Sequence, residues 1–208
     1  DLQALIRSNA VVYIGLDSLA NKTISSAVGS ILLSDLTSVA AGIYNFSPPA
    51  TERKKIFLIV DEAAEVVNDP YIGMLNKAAG AGFVNFAAIQ TIPDLASRFE
   101  SMDKARQMLG NFNNLFAMRI KDRVTQDFVV ETMGETYIYS KQMILSTSSS
   151  TEKNLTHFTG SIQERVTENL HDVLPTDILG QLGNWEYIAS VSGGRMLKGR
   201  LSIIEHEG

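Results

Sequence analysis

The run Ile56-Phe57-Leu58-Ile59-Val60, closed by Asp61-Glu62, constrains this chain more than any other stretch. A short, unbroken apolar run cut off by acids fits a strand covered on both faces, because a half-solvated strand would alternate apolar and polar residues. Runs of the same kind recur at Ala10–Leu16, at Phe83–Ile89, which ends in Gln90-Thr91, and at Leu115–Ile120. Between the first two, Ile24, Val28, Ile31, Leu32, Leu36, Val39 and Ile43 repeat at three- and four-residue spacing. That spacing predicts a helix with one apolar face, capped by Asp17 or Ser18.

A second helix is expected to open at Asp69-Pro70, where proline suits the first turn, and to close at Gly80 and Gly82. Short helices should follow over Asp94–Phe99 and Asp103–Leu109, and another over Thr125–Met133, ended by Gly134. Strands alternating with helices need crossover connections, and right-handed crossovers build an α/β fold, a mainly parallel sheet with helices on both faces. Trp185–Val191 and Met196–Ile204 flank Ser192-Gly193-Gly194, which predicts a terminal antiparallel hairpin. Ser47-Pro48-Pro49-Ala50 reads as a loop, and the Ser/Thr-rich stretch from Ser146 to Thr151, extending to about residue 156, as a mobile one.

With 208 residues and 45% hydrophobic content, one domain over residues 1–208 is expected. A net charge of −5 argues against a chain that coats nucleic acid, although a local basic groove or a channel built by several subunits would escape that test. The chain has no cysteine, hence no disulfide framework and no Cys-type zinc site, as suits a cytosolic protein. No apolar run approaches the ~20 residues of a membrane span, and Asp1-Leu2-Gln3-Ala4 is unlike a signal peptide, so a soluble, cytoplasmic chain is expected. The missing initiator methionine and a start inside a helix predict a piece of a longer protein.

A buried strand that ends in Asp-Glu has a mechanical logic in nucleotide hydrolysis, since it presents two carboxylates at the sheet edge where α/β proteins bind ligands. Asp61 would hold Mg²⁺, directly or through water, and Glu62 would orient and deprotonate the attacking water. Gln90, at the tip of the neighbouring strand, would sit beside the γ-phosphate and sense its loss. The plainer reading is that acids and glutamine follow a strand because the chain has reached solvent. Lys77 could face a phosphate on an adjacent subunit, or be a solvated lysine at a helix end.

The phosphate-wrapping Gly-x-x-x-x-Gly-Lys-Ser/Thr loop of Walker A does not occur. Its nearest decoy, Gly15 to Thr23, is one residue too long and carries Asn21 where the second glycine belongs. His157, His171 and His206 lack ligand-like spacing. Arg119-Ile120-Lys121-Asp122-Arg123 and Arg195 to Arg200 are basic enough to touch a phosphate backbone, but such short clusters are usually solvated faces.

Ile59-Val60-Asp61-Glu62, Leu75-Asn76-Lys77 with Gly80-Ala81-Gly82-Phe83, Ala88-Ile89-Gln90-Thr91 and Met108 to Asn114 match in order and spacing one known pattern. They resemble the conjugative coupling proteins of type IV secretion, in the TraD branch. Val12 to Leu19, the long helix to Tyr44, and the tail from Leu174-Pro175 through Gly193-Gly194-Arg195 extend the resemblance over nearly the whole chain. It implies a RecA-like P-loop core in a membrane-anchored homo-hexameric ATPase of the bacterial inner membrane, with its motor in the cytoplasm. That motor would use ATP and Mg to pump DNA, linking the relaxosome and its relaxase to the secretion channel.

By the resemblance, Asp61 and Glu62 are the Walker B pair and Gln90 the family's glutamine beyond the next strand. Many relatives carry an arginine just before the first glycine of the Gly-x-Gly stretch, where this chain has Ala78-Ala79. Either another base such as Arg98 or Arg119 serves, or hydrolysis is slow. Walker A lies upstream of an all-α insertion in the family, so the chain reads as the C-terminal part of the motor, truncated before strand one and inactive alone. A non-catalytic RecA-like interaction module, or another hexameric DNA translocase of the chromosome-segregation type, are the competing readings. Leu109-Gly110-Asn111 and the Ser-Gly-Gly-Arg tail favour the coupling-protein branch over the latter.

Overall fold

The computed structural model describes residues 1–46, 54–148 and 159–202. The Ser47–Ala50 loop, His157 and His206 lie outside the described residues. Helix α1 (Leu2–Arg7) is capped by the Asp1 carboxylate, which accepts from the amides of Gln3 and Ala4. The strand expected over Ala10–Leu16 does not form: residues 10–17 carry no regular structure, and Val11 is 100% exposed. A strand needs a hydrogen-bonded neighbour, and none of the described strands pairs with this segment.

Helix α2 (Lys22–Phe46) starts several residues after the expected caps. Asp17 instead closes the preceding turn, its carboxylate accepting from Ala20 N at 3.0 Å and its carbonyl from Ser25 Oγ at 2.7 Å. Ser25, Gly29, Leu33 and Ala40 are its buried residues, spaced to share one face. A Cβ on Gly29 would come within 2.8 Å of Val66 Cβ, so glycine lets the helix close against the segment after β1 (Ile56–Val60). The 25 residues of α2 are long and apolar enough to cross a membrane by length and composition, contrary to the expectation of no such run. The sequence hides this because serines and one aspartate interrupt the apolar letters without lowering the average enough.

β1 pairs in parallel with β2 (Phe83–Ala87), from Ile56 opposite Phe83 to Val60 opposite Ala87. The crossover between them is α3 (Asp69–Ala78), flanked by short 3-10 turns over Ala63–Glu65 and Ala79–Ala81. Asn68 caps α3, its side chain accepting from Tyr71 N, and Pro70 occupies the first turn. Helices α4 (Ile92–Phe99) and α5 (Met102–Leu109) follow, capped by Thr91 and Ser101. Leu33, Val60, Val67, Tyr71, Met74, Phe83, Leu95 and Met108 form the core that these elements share.

The remaining chain builds β3 (Leu115–Ala117), α6 (Arg123–Met133), β4 (Glu135–Ser148), β5 (Thr159–Asp172), α7 (Thr176–Gln181), β6 (Glu186–Val191) and β7 (Arg195–Arg200). β3, β6 and β7 make one antiparallel sheet over a second core of Ala117, Val129, Val130, Met133, Leu179, Leu182 and Ile188. The terminal hairpin is therefore present as β6–β7. β4 and β5 form a separate ribbon of fourteen paired positions, unexpected from the sequence. Ser146 to Ser148 lie in β4 rather than in a loop, while residues 149–158 lie outside the described residues.

The fold is α/β, but the described residues hold three small sheets and one parallel pair instead of a single, mainly parallel sheet. The runs at Ala10–Leu16 and Leu115–Ile120 add no parallel strand to β1–β2. As a result one face of that pair stays bare, with Phe57 66% and Ile59 75% exposed and Phe86 beside them.

Candidate functional site

Beyond their last ladder pair the two parallel strands remain tied. Ala88 N donates to Val60 O at 2.9 Å, and Ala63 N donates to Ala88 O at 2.8 Å. Asp61 and Glu62 are thereby extruded as a two-residue bulge at the C-terminal tip of β1, both exposed. Gln90, also exposed, leaves the same edge two residues past Ala88. The structure therefore brings the three expected site residues to one edge of the parallel pair, the place where open α/β sheets take ligands.

The bulge has a strained hinge. Glu62 is in the left-handed region at φ 47° and ψ 49°, and its amide donates to Asp61 Oδ1 at 3.0 Å. Such a conformation costs a residue with a Cβ about 1–2 kcal/mol. What fixes it is the Ala63–Ala88 hydrogen bond on one side and the buried Ala63 side chain on the other.

The second tip is fixed through its helix. Thr91 Oγ1 accepts from Asp94 N at 3.2 Å and lies 2.6 Å from Asp94 Oδ2. The next amide, Ile92 N, donates to the buried Thr125 Oγ1 at 2.9 Å, and that hydroxyl donates to Asp122 Oδ2 at 2.6 Å. Sequence reasoning missed Thr125 and Asp122, although Asp122-x-x-Thr125 ahead of an apolar-periodic segment is a readable capping signal. These hydrogen bonds hold the Asp122 carboxyl below the usual carboxylate range, the Thr125 hydroxyl having the largest effect and the Thr125 amide the next.

Arg98 does not reach outward as an arginine finger would. Its guanidinium donates from Nε to Val67 O at 2.8 Å and from its two terminal nitrogens to Ser26 Oγ at 2.7 Å and Ser30 Oγ at 2.6 Å. It thus ties α4 to α2 and to the loop after the bulge. Arg119 is exposed and donates to Asn184 Oδ1 at 2.9 Å, beside the antiparallel sheet. Lys77 lies at the end of α3, on the wall of an open groove of about 490 Å³ with Tyr44 and Met74. Lys22 pairs with Glu65 at 2.9 Å, joining the start of α2 to the turn that follows Glu62.

Among the described residues no group of three or more His, Cys, Asp or Glu could hold a metal ion. The edge offers only adjacent carboxylates, a donor set unlike a protein-built cage. It suits Mg²⁺, which keeps its waters and shares one or two carboxylates with substrate phosphates. The Gly15 to Thr23 decoy opens α2 without the preceding strand from which a phosphate loop springs.

Comparison with known proteins agrees with this placement. The family described as the TraM recognition site of TraD and TraG matches residues 55–183. No curated protein matches. Among solved structures, the plasmid coupling protein TrwB in complex with the non-hydrolysable ATP analogue ADPNP superposes with a TM-score of 0.65 at 16% identity. That match covers 88% of this chain and 38% of the other. The bacterial conjugative coupling protein TrwBdeltaN70, in an unbound monoclinic form, gives 0.62 at 16% identity over 84% of this chain and 36% of that one. TrwB with ADP and Mg²⁺ gives 0.60, again at 16% identity, over 88% of this chain and 39% of that one. This chain spans well under half the length of these structures, and they share its fold. With more than half of its residues inside the family match, the chain belongs to the TraD/TraG family, as the C-terminal region of a TraD-type conjugative coupling protein.

Proposed function

We propose that this chain supplies the Walker B half of the nucleotide site in the RecA-like motor of a conjugative coupling ATPase. The observation that carries this reading is the edge itself: Asp61, Glu62 and Gln90 leave adjacent, hydrogen-bonded strand tips of a parallel pair. In the whole protein β1 and β2 would be inner strands of a larger parallel sheet, and the bare Phe57, Ile59 and Phe86 face would be covered. ATP and Mg²⁺ would be shared with a phosphate loop outside these 208 residues, so the chain alone neither binds nucleotide usefully nor hydrolyses it.

Asp61 would be the carboxylate toward the ion, directly or through water. Its Oδ1 already accepts the Glu62 amide, and carboxylate lone pairs remain for a ligand. Bound Mg²⁺ would neutralise charge on the β- and γ-phosphates. Glu62 would accept the proton of the attacking water, and Gln90 would read the γ-phosphate from the second tip. Arg98 would act by holding the loop behind the bulge in place. The assembly would be a homo-hexamer at the bacterial inner membrane with its motor in the cytoplasm. Its partners would be DNA, the relaxosome and the type IV secretion channel, the family description itself pointing to a relaxosome protein.

The test is Asp61→Asn in the full-length protein, read as plasmid transfer frequency between cells. Transfer should fall by at least about 100-fold, of the order that general acid–base and electrostatic groups contribute at such sites. Transfer at the wild-type level, with the variant present at wild-type abundance, would contradict the proposal.

A further inference from the structure

The ribbon of β4 and β5 is amphipathic in a way its own chain does not use. Residues opposite one another in an antiparallel pair share a face, and successive residues alternate between faces. One face therefore carries Tyr137 with Leu170, Tyr139 with Glu168, Lys141 with Val166, Met143 with Glu164, and Leu145. The other carries Thr136 with His171, Ile138 with Asn169, Ser140 with Thr167, Gln142 with Arg165, and Ile144 with Gln163. The six apolar side chains of the first face are 49% to 74% exposed. An isolated two-stranded ribbon is marginal in water without something on its apolar face.

We infer that this face is an interaction surface for a second copy of this chain, packed ribbon on ribbon. Charge argues against nucleic acid and against an anionic lipid surface. The two strands carry Glu135, Glu164, Glu168 and Asp172 against Lys141 and Arg165. The area suits a copy of itself. Fourteen residues at about 3.4 Å each and two strands about 4.8 Å apart give a face of roughly 480 Å². Two such faces bury about 1,000 Å² together, the lower bound for a specific interface.

The charges on the face are also self-complementary. Lys141 sits opposite Val166, and Glu164 and Glu168 lie two residues to either side of Val166 on the same face. A second copy related by a two-fold axis along the strands lays β4 over β5. Each Lys141 then faces a Val166 flanked by two carboxylates, while Tyr137 meets Leu170. This surface is distinct from the strand-tip edge and does not depend on the nucleotide reading.

Sedimentation equilibrium of the 208-residue chain tests it, with circular dichroism confirming that each variant is folded. The wild type should show concentration-dependent dimers. Tyr139→Glu combined with Val166→Glu should weaken association by about 100-fold or more. Ile138→Glu combined with Asn169→Glu, on the opposite face, should leave it unchanged. Lys141→Glu should weaken it, and adding Glu164→Lys and Glu168→Lys should restore it. A wild type that stays monomeric, a dimer indifferent to Tyr139 and Val166, or equal sensitivity of both faces would overturn the inference.

Discussion

The amide of Glu62 donates to the carboxylate of Asp61 at 3.0 Å, across a backbone that turns left-handed at Glu62 itself. A two-residue carboxylate bulge held this way has its strain at the residue assigned to proton transfer. Glycine would relieve that strain while adding freedom to the unfolded chain, and the two effects are of similar size. Glu62→Gly should therefore leave the unfolding midpoint unchanged or slightly raised, even though glycine usually destabilises. A loss of more than about 1 kcal/mol in urea denaturation would show that the Glu62 side chain is structural.

Arg98 provides the opposite case, a charged side chain whose work is packing. With donors to Val67 O, Ser26 Oγ and Ser30 Oγ, it closes the only such three-way tie among the described hydrogen bonds of α2, α4 and the loop between Glu65 and Asn68. Arg98→Ala leaves these part-buried acceptors to find water, at about 2–3 kcal/mol. Chemical denaturation should show that loss. Stability within about 0.5 kcal/mol of wild type would mean that Arg98 is free for another role.

Asp122 ties pH to the second strand tip. Its folded pKa is lowered by hydrogen bonds from Thr125. A depressed carboxylate contributes stability that is fully present above its unfolded pKa, near 3.9, and is lost as pH falls through the lower folded value. Asp122→Asn keeps a capping oxygen but not the charge. Wild-type unfolding midpoints should converge on those of Asp122→Asn as pH falls through the acid range below about 4, and stay apart at neutral pH. A difference that does not change with pH would remove the carboxylate from the account.

The parts of this fold that the sequence discloses are those whose neighbours are local. Ile56–Val60 and Phe83–Ala87 with the Asp69-Pro70 helix between them form one crossover unit, so apolar runs and caps suffice to read it. Asp61, Glu62 and Gln90 were legible for the same reason, each ending a strand in a polar residue. The sheet as a whole was not, because pairing depends on partners far away: the Ala10–Leu16 run has strand composition and no strand beside it. The β4–β5 ribbon shows the complementary failure. Tyr137, Tyr139, Met143 and Leu145 alternate plainly, but Lys141 breaks the apolar file and the Ser/Thr stretch after it resembles a linker. The role of Arg98 lies beyond any local pattern, since its acceptors are 31 to 72 residues away.

The central claim is that the edge formed by Asp61, Glu62 and Gln90 hydrolyses ATP in the coupling protein, and Glu62→Gln in the full-length protein tests it most directly. Removing a general base while keeping the shape should lower DNA-stimulated ATP turnover by about 10²- to 10⁴-fold, with ATP affinity measured by calorimetry unchanged. Turnover at the wild-type rate would contradict the account.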